Sequence, residues 1–554
     1  MLVPLLAAIA TLLARGSPRG QRALSLFGGA AYAAAVALLV WRVFAVGPVV
    51  YQVSDWPAPF GITLVADELS AFLLAMAAVV ALAAVAFSVA YVDAFGQRVS
   101  YHPLFHFMLV GVSGAFLTGD VFNLFVWFEV MLMPSYVLVV FYSGPEHTRA
   151  ALYYVVLNLV GSAVMLVAIG GLYATTGTLN MADMARRLAS PAAFGVDPTP
   201  VLGLSALLFA VFALKAGLAP FQFWVPSAYR AAPAPVAAVL AGVTKKVGVY
   251  AIVRLYFGVF AAATLPDGLG LPGLAGHSFL AFFGPVLFLM AAASILLGGL
   301  GALGQADLDG VFAYSSIGQV GFIVLPLAVA ATVPSVRTLG VAAALIYALN
   351  HAVAKSLLFL ASGTVGETVG SAKFQNLGGL AGRAPWLSGA VFAGALALVG
   401  VPPLSGFFAK LLVFDTAGRA LPVAGGIGLG GVSISYPSLA LAVALGGAIL
   451  TIAYVSRTWN RGFWGERSPA VSRSTHAPAL VAIVVALALA VVAIGVGFQP
   501  VLWAAQRAAG AAVDTQGYVR AVDPTTVSAA LDHVGEAGVA LAVAGRRSLR
   551  EVAP

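Results

Sequence analysis

The sequence predicts an all-α polytopic membrane protein of about 14 transmembrane helices. Three observations lead there. Of 554 residues, 61% are hydrophobic and only 9% are charged, 28 basic and 20 acidic, about a third of the usual charged share. So few ionisable groups cannot keep a soluble surface hydrated. Apolar runs near the ~20 residues needed to cross the hydrocarbon core also recur along most of the chain.

In order, the segments span 2–14, 24–44, 70–92, 103–119, 121–142, 150–174, 201–221, 232–260, 277–303, 311–331, 338–364, 386–417, 436–457 and 477–503. The first is short, but no basic stretch precedes it and Arg15, Arg19 and Arg22 follow it, so it reads as a retained helix rather than a signal peptide. Segments 7 and 12 are interrupted: Pro220 follows Lys215, and Pro402-Pro403 precedes Lys410. Proline frees backbone groups that in a membrane must find other partners, so such breaks line polar cavities. A pair of them points to a transporter built from repeats.

The connections after odd-numbered segments carry 11 Lys and Arg, against 4 after the even-numbered ones. The richer set belongs in the cytoplasm, which puts both termini outside. The Ala-rich tail from 506 to 554 is then extracytoplasmic. Its apolar run Val539–Ala544 is too short to span, and a surface helix or partial disorder is expected.

The net charge of +8 is scattered between apolar runs, which excludes a nucleic-acid partner. The absence of cysteine excludes an iron–sulfur cluster, a thiolate zinc site and disulfides. No cofactor and no enzymatic redox centre are expected.

The basic residues divide unevenly, into 22 arginines, mostly in loops, and six lysines. Lys215, Lys245, Lys246, Lys355 and Lys410 all lie in apolar segments; only Lys373 is in an evident loop. A desolvated lysine can release and regain a proton, which a guanidinium does not. Glu129 is well inside segment 5, where a central charge costs about 2.5–3.5 kcal/mol and marks function by default. The bland alternative is a fixed ion pair between helices. His351 and Lys355 are spaced i, i+4 and share a helix face, and histidine titrates near neutrality. Lys245, next to Lys246, is expected to face another way, snorkelling or pairing locally.

Other patterns carry less. Gly299–Gly304, Gly268–Gly273 and Gly426–Gly431 match a dinucleotide fingerprint, but three matches among 61 glycines, none between a strand and a soluble helix, reflect composition. His102 and His106 have metal-ligand spacing without further ligands nearby, so an interfacial structural role is expected.

From about Trp56 to Val522, and through eight motifs within that stretch, the chain resembles the large antiporter-like subunits shared by respiratory complex I and the Mrp multisubunit cation/proton antiporters, above all the D-subunit type of the Mrp branch. The motifs are Thr118-Gly-Asp-Val-Phe-Asn-Leu-Phe-Val-Trp-Phe-Glu129, Gly177-Thr-Leu-Asn-Met-Ala182, Lys215-Ala-Gly-Leu-Ala-Pro220, Lys246-Val-Gly-Val-Tyr250, Ala313-Tyr-Ser-Ser-Ile317, Asn350-His-Ala-Val-Ala-Lys355, Asn376-Leu-Gly-Gly-Leu380 and Val401-Pro-Pro-Leu-Ser-Gly-Phe407.

The resemblance implies three leading helices in 1–102, inverted five-helix repeats in 103–260 and 277–462 with helices 7 and 12 broken, a last helix in 477–505, and the tail. It implies a proton relay in which Glu129 pairs with Lys215, Lys246 connects, His351 and Lys355 follow, and Lys410 serves the second broken helix. It also implies partner subunits, a prokaryotic cell membrane, and exchange of protons for a monovalent cation, Na⁺ above all. The alternative is a proton-pumping subunit of a complex I-like oxidoreductase or a membrane hydrogenase. Complex I relatives commonly carry an aspartate and a histidine after helix 7, where this chain reads Trp224-Val-Pro-Ser-Ala-Tyr-Arg230, which favours the antiporter branch. They also carry basic residues where Asp307 and Asp309 stand here, so cytoplasmic proton access through a cation at that place is not expected.

Overall fold

The computed structural model describes residues 1–98, 100–267, 273–423, 426–429 and 432–522. Among them, 11 helices are long and apolar enough to cross a membrane, and three shorter apolar helices, Leu2–Gly16, Tyr101–Leu117 and Pro385–Val399, complete the set. Each falls on one of the 14 sequence segments, and the protein is a multi-pass membrane protein.

Helix starts follow from local chemistry. The first turn of a helix leaves N–H groups without partners, which a preceding aspartate can satisfy. Asp67 accepts from the Ser70 amide at 2.9 Å, Asp120 from Asn123 at 2.7 Å and Asp307 from Gly310 at 2.7 Å. Segment 2 begins at Pro18 rather than at 24, because Ser17 accepts from the Gly20 amide and proline occupies the first turn. The polar Arg19–Arg22 turn is thus helical although it carries no apolar signal.

Segments 4–8 and 9–13 form two blocks of five. Five crossings are an odd number, so the second block starts from the opposite side and is inverted. The broken helix is fourth in each: Pro198–Ala216 followed by Trp224–Ala231, and Pro385–Val399 followed by Ser405–Ala420. Segment 12 reads in sequence as one run because Gly400-Val-Pro-Pro is itself apolar.

Burial separates core from rim. The best apolar windows of Ala234–Ala262, Leu308–Thr332 and Pro334–Val369 are 100%, 94% and 94% buried, against 28% for Pro18–Val46 and 33% for Tyr436–Gly462 and Pro478–Val496. Segments 8, 10 and 11 therefore form a centre with almost no lipid-facing side. Small residues let backbones meet there: a Cβ on Gly298 would stand 2.2 Å from the Gly318 nitrogen.

One buried ion pair was not anticipated. Arg254, inside segment 8 rather than in a loop, holds Asp67 at 2.7 Å, and the two side chains are 2% and 6% exposed. The expected surface tail also differs. Beyond Gly497 a helix Phe498–Val513 packs inward through Ala505, Ala508, Ala509 and Ala512, and Thr515–Val522 follows with Tyr518 buried. Alanines at i, i+3, i+4 and i+7 make a helical stripe whose low bulk conceals it in a sequence this rich in alanine. Arg507 on this helix pairs with Glu68 at 2.6 Å, beside a cavity of about 440 Å³ that Asp67, Asp514 and Tyr518 also line. Residues after Val522, including Val539–Ala544, lie outside the described residues.

Gly299, Gly301 and Gly304 belong to the end of Leu280–Leu303, where the first two pack against Leu450 and Tyr314; the other two glycine matches lie partly outside the described residues. His102 and His106 are buried, and His106 Nε2 is 3.0 Å from Ser25 Oγ. Among the described residues no group of three His, Cys, Asp or Glu could hold a metal ion.

Removing one member of a buried pair strands the other charge, typically at a cost of about 3–5 kcal/mol. Arg254→Met is accordingly expected to lower the melting temperature of the detergent-solubilised protein, and Asp67→Leu added to it to restore most of the loss; thermal unfolding of the single and double variants measures both.

Candidate proton path

Segment 5 positions Glu129. Its start is fixed by Asp120, and Phe128 beside the glutamate is fully buried against Phe212 of segment 7 at 6.1 Å. Glu129 and Lys215 are brought together, but not as a direct pair: no ion pair between them closes within 4.0 Å. Ser162 of segment 6 stands between, donating to Glu129 Oε1 while its own oxygen accepts from Lys215 Nζ at 3.0 Å. Lys215 also donates to the Asn158 carbonyl at 3.2 Å, and it lies at the end of the first half-helix, two residues before the break at Gly217.

Segment 8 is not a regular helix. Leu240–Thr244 and Val253–Val259 are π-helical, a wider turn often found at functional positions. From the first of these turns the Ala241 carbonyl accepts from Lys246 Nζ at 2.7 Å, and Lys246 Nζ also meets His351 Nδ1. His351 Nε2 lies 3.1 Å from Ser316 Oγ. Lys355, one turn along the same face as His351, donates to the Phe312 carbonyl at 3.0 Å and to Ser315 Oγ.

Farther into the second block, Gln319 accepts from Tyr347 at 2.6 Å and donates to Tyr454 at 3.2 Å. Phe322 stacks on Tyr347 at 5.4 Å, and Lys410 Nζ stands 5.3 Å from the Phe322 ring centre. Lys410 donates at 2.8 Å to the Val399 carbonyl, which ends the first half of segment 12 and has no regular helical partner. Pro220, Pro402 and Pro403 lie in the breaks themselves.

The sequence-derived residues thus fall into two groups, Glu129–Lys215 and Lys246–His351–Lys355, with Lys410 beyond the second. Lys245 differs from expectation. It is fully buried, with no hydrogen-bond partner at Nζ, because a helix buried on every side offers no lipid face along which to snorkel. Sequence reasoning did not single out Ser162, Ser315, Ser316, Gln319, Tyr347 or Tyr454. The spacing of Asn158 and Ser162, i and i+4 in an apolar run, was the available signal for the first.

Chemically, a hydroxyl both donates and accepts, so each serine can take a proton on one side and give one up on the other. Among the described residues, none of the buried lysines of this path is in an ion pair with a carboxylate. Their amines are held by carbonyls, hydroxyls and an imidazole, acceptors that carry no charge to lock them in one state.

Comparison with known proteins agrees with this architecture. Residues 118–425 match the family described as NADH:quinone oxidoreductase/Mrp antiporter, TM. The D-subunit of the Na⁺/H⁺ antiporter of Alkalihalophilus pseudofirmus is 32% identical over 505 residues, 91% of this chain and 94% of that protein. The N-subunit of the NADH-quinone oxidoreductase of Desulforudis audaxviator is 37% identical over 417 residues, 74% of this chain and 78% of that protein. A chain in the structure of the Mrp complex from Dietzia sp. DQ12-45-1b superposes with a TM-score of 0.80 at 30% identity, covering 94% of this chain and 98% of its own. The chain belongs to the NADH:quinone oxidoreductase/Mrp antiporter family of membrane proteins.

Proposed function

We propose that this protein conducts protons as one subunit of a multisubunit antiporter that exchanges them for a monovalent cation, Na⁺ above all, across a prokaryotic cell membrane. Both termini would lie on the outer side, and Glu129, Lys215, Lys246, His351, Lys355 and Lys410 would carry the proton. One observation supports the reading most: Ser162 accepts from Lys215 and donates to Glu129. A proton leaving Lys215 onto the hydroxyl oxygen can be matched by the hydroxyl proton moving to Glu129, so charge crosses from amine to carboxylate without either side chain moving. Each transfer changes the field at the next amine.

The similarity to the N-subunit of an NADH-quinone oxidoreductase favours a second reading, a pump driven by a redox partner. Purification of the chain with its native partners separates the two. Small antiporter-type membrane subunits support the first, and flavin- or iron–sulfur-bearing subunits the second.

In vesicles carrying the assembled complex, Glu129→Gln and Lys215→Ala are each expected to lower Na⁺-dependent proton exchange at least tenfold, read with a pH-sensitive dye. Exchange at the parental rate in both would refute the relay. Ser162→Ala is expected to lower exchange by about tenfold while Ser162→Thr, which keeps the hydroxyl, retains most of it. Equal rates for these two variants would remove the serine from the path.

A further inference from the structure

The two groups of the path leave a gap between Lys215 in segment 7 and the Lys246–His351 contact between segments 8 and 11. Lys246 does not turn towards Lys215, because its Nζ is engaged by the Ala241 carbonyl and by His351. The neighbouring Lys245 faces the break in segment 7. A Cβ placed on Gly217 would stand 2.9 Å from Lys245 Cε and 3.3 Å from its Nζ. The glycine, at φ +69°, therefore makes the space the amine occupies. Segments 7 and 8 meet closely just beyond, where a Cβ on Gly248 would lie 2.7 Å from the Ala216 nitrogen.

Lysines 215, 246, 355 and 410 each donate to a backbone carbonyl, whereas Lys245 Nζ has no partner and is fully buried. Its neighbour is the ring of Tyr229, 5.6 Å away, and Tyr229 is anchored by donating to the Leu240 carbonyl at 3.1 Å. A side chain kept for structure would gain from being apolar in such a place, since an unbonded buried amine is costly. The titratable groups about it are Tyr229, over whose ring its amine lies, Lys246 beside it, and His351 and Lys355 on segment 11, the last two and Lys246 within range of its charge. Lys215 lies two residues before Gly217 at the same helix end, its amine turned to Asn158 and Ser162.

We infer that Lys245 is a further proton station, passing protons between the Glu129–Ser162–Lys215 group and the Lys246–His351–Lys355 group. The lone pair of its neutral amine forms an N–H bond with a proton released by the Lys215 ammonium. The resulting ammonium then gives a proton to the imidazole nitrogen of His351 or to Lys246. No charge is created or lost, and Lys245 ends neutral. The absence of a fixed acceptor leaves the amine without a hydrogen bond to break before it takes or gives a proton.

This inference rests on the relay reading, and the test separates the two. In vesicles with the complete complex, Lys245→Met is expected to lower Na⁺-dependent proton exchange at least tenfold with assembly unchanged by size-exclusion chromatography. Lys245→Arg should lose as much, because guanidinium holds its proton. Lys245→His should recover part of the rate, with the pH optimum moved to the acid side. Full activity of Lys245→Met, or full rescue by Arg, would overturn the station; should the Met variant not assemble, Lys245→Gln is scored by the same criteria. If Glu129→Gln is inactive while Lys245→Met is active, only the station fails. If both are active, the relay fails with it.

Discussion

An unbonded amine inside a bilayer is costly, and among the described residues Lys215, Lys246, Lys355 and Lys410 have their amines met without carboxylates, Lys245 alone of the buried lysines being left without a hydrogen-bond partner. Asn158, Ala241, Phe312 and Val399 supply backbone oxygens, and Ser162, Ser315 and His351 supply side-chain partners. A carboxylate at contact distance would hold an ammonium far more firmly, and low dielectric magnifies that hold. Neutral acceptors satisfy hydrogen bonding while leaving the proton free to depart. The irregular backbone follows from this requirement: the interrupted segment 12 and the widened turn of segment 8 provide two of the four accepting carbonyls where lysines need them.

The same requirement explains why charge in the rest of the molecule is treated differently. Arg254 is as deeply buried as the path lysines, yet it is closed on Asp67 with further bonds to Ser70 and Tyr250. A guanidinium with a carboxylate and two hydroxyls is fixed in its charge state and can serve only to hold helix 8 to the start of helix 3. Arginine with acid, and lysine with carbonyl and hydroxyl, are two chemical solutions to burial. Under the proposed relay, the first serves for holding and the second for transfer.

Much of this was legible in the sequence. Hydropathy located all 14 helices, because desolvating a polar backbone forces long apolar runs on any spanning segment. Glu129, Lys215, Lys246, His351, Lys355 and Lys410 stood out because a charge is costly among aliphatic neighbours. The connecting hydroxyls did not, since a single serine costs little in a helix and leaves no periodic trace. Lys245 was misread for a related reason: sequence spacing gives the angle between neighbours, but not whether a helix has an outer face. The start of the tail, to Val522, was misread because its contact stripe is alanine in an alanine-rich chain.

The helix that carries Arg507 reaches Glu68 across 439 positions of sequence. Spanning segments are made one after another, so this piece is made after Glu68–Tyr91 and Arg337–Val369, the helices it packs on. The wall of the cavity at that end is therefore completed by the final described stretch of chain. A chain that stopped after segment 14 would leave Glu68 without Arg507 and the cavity beside it without that wall.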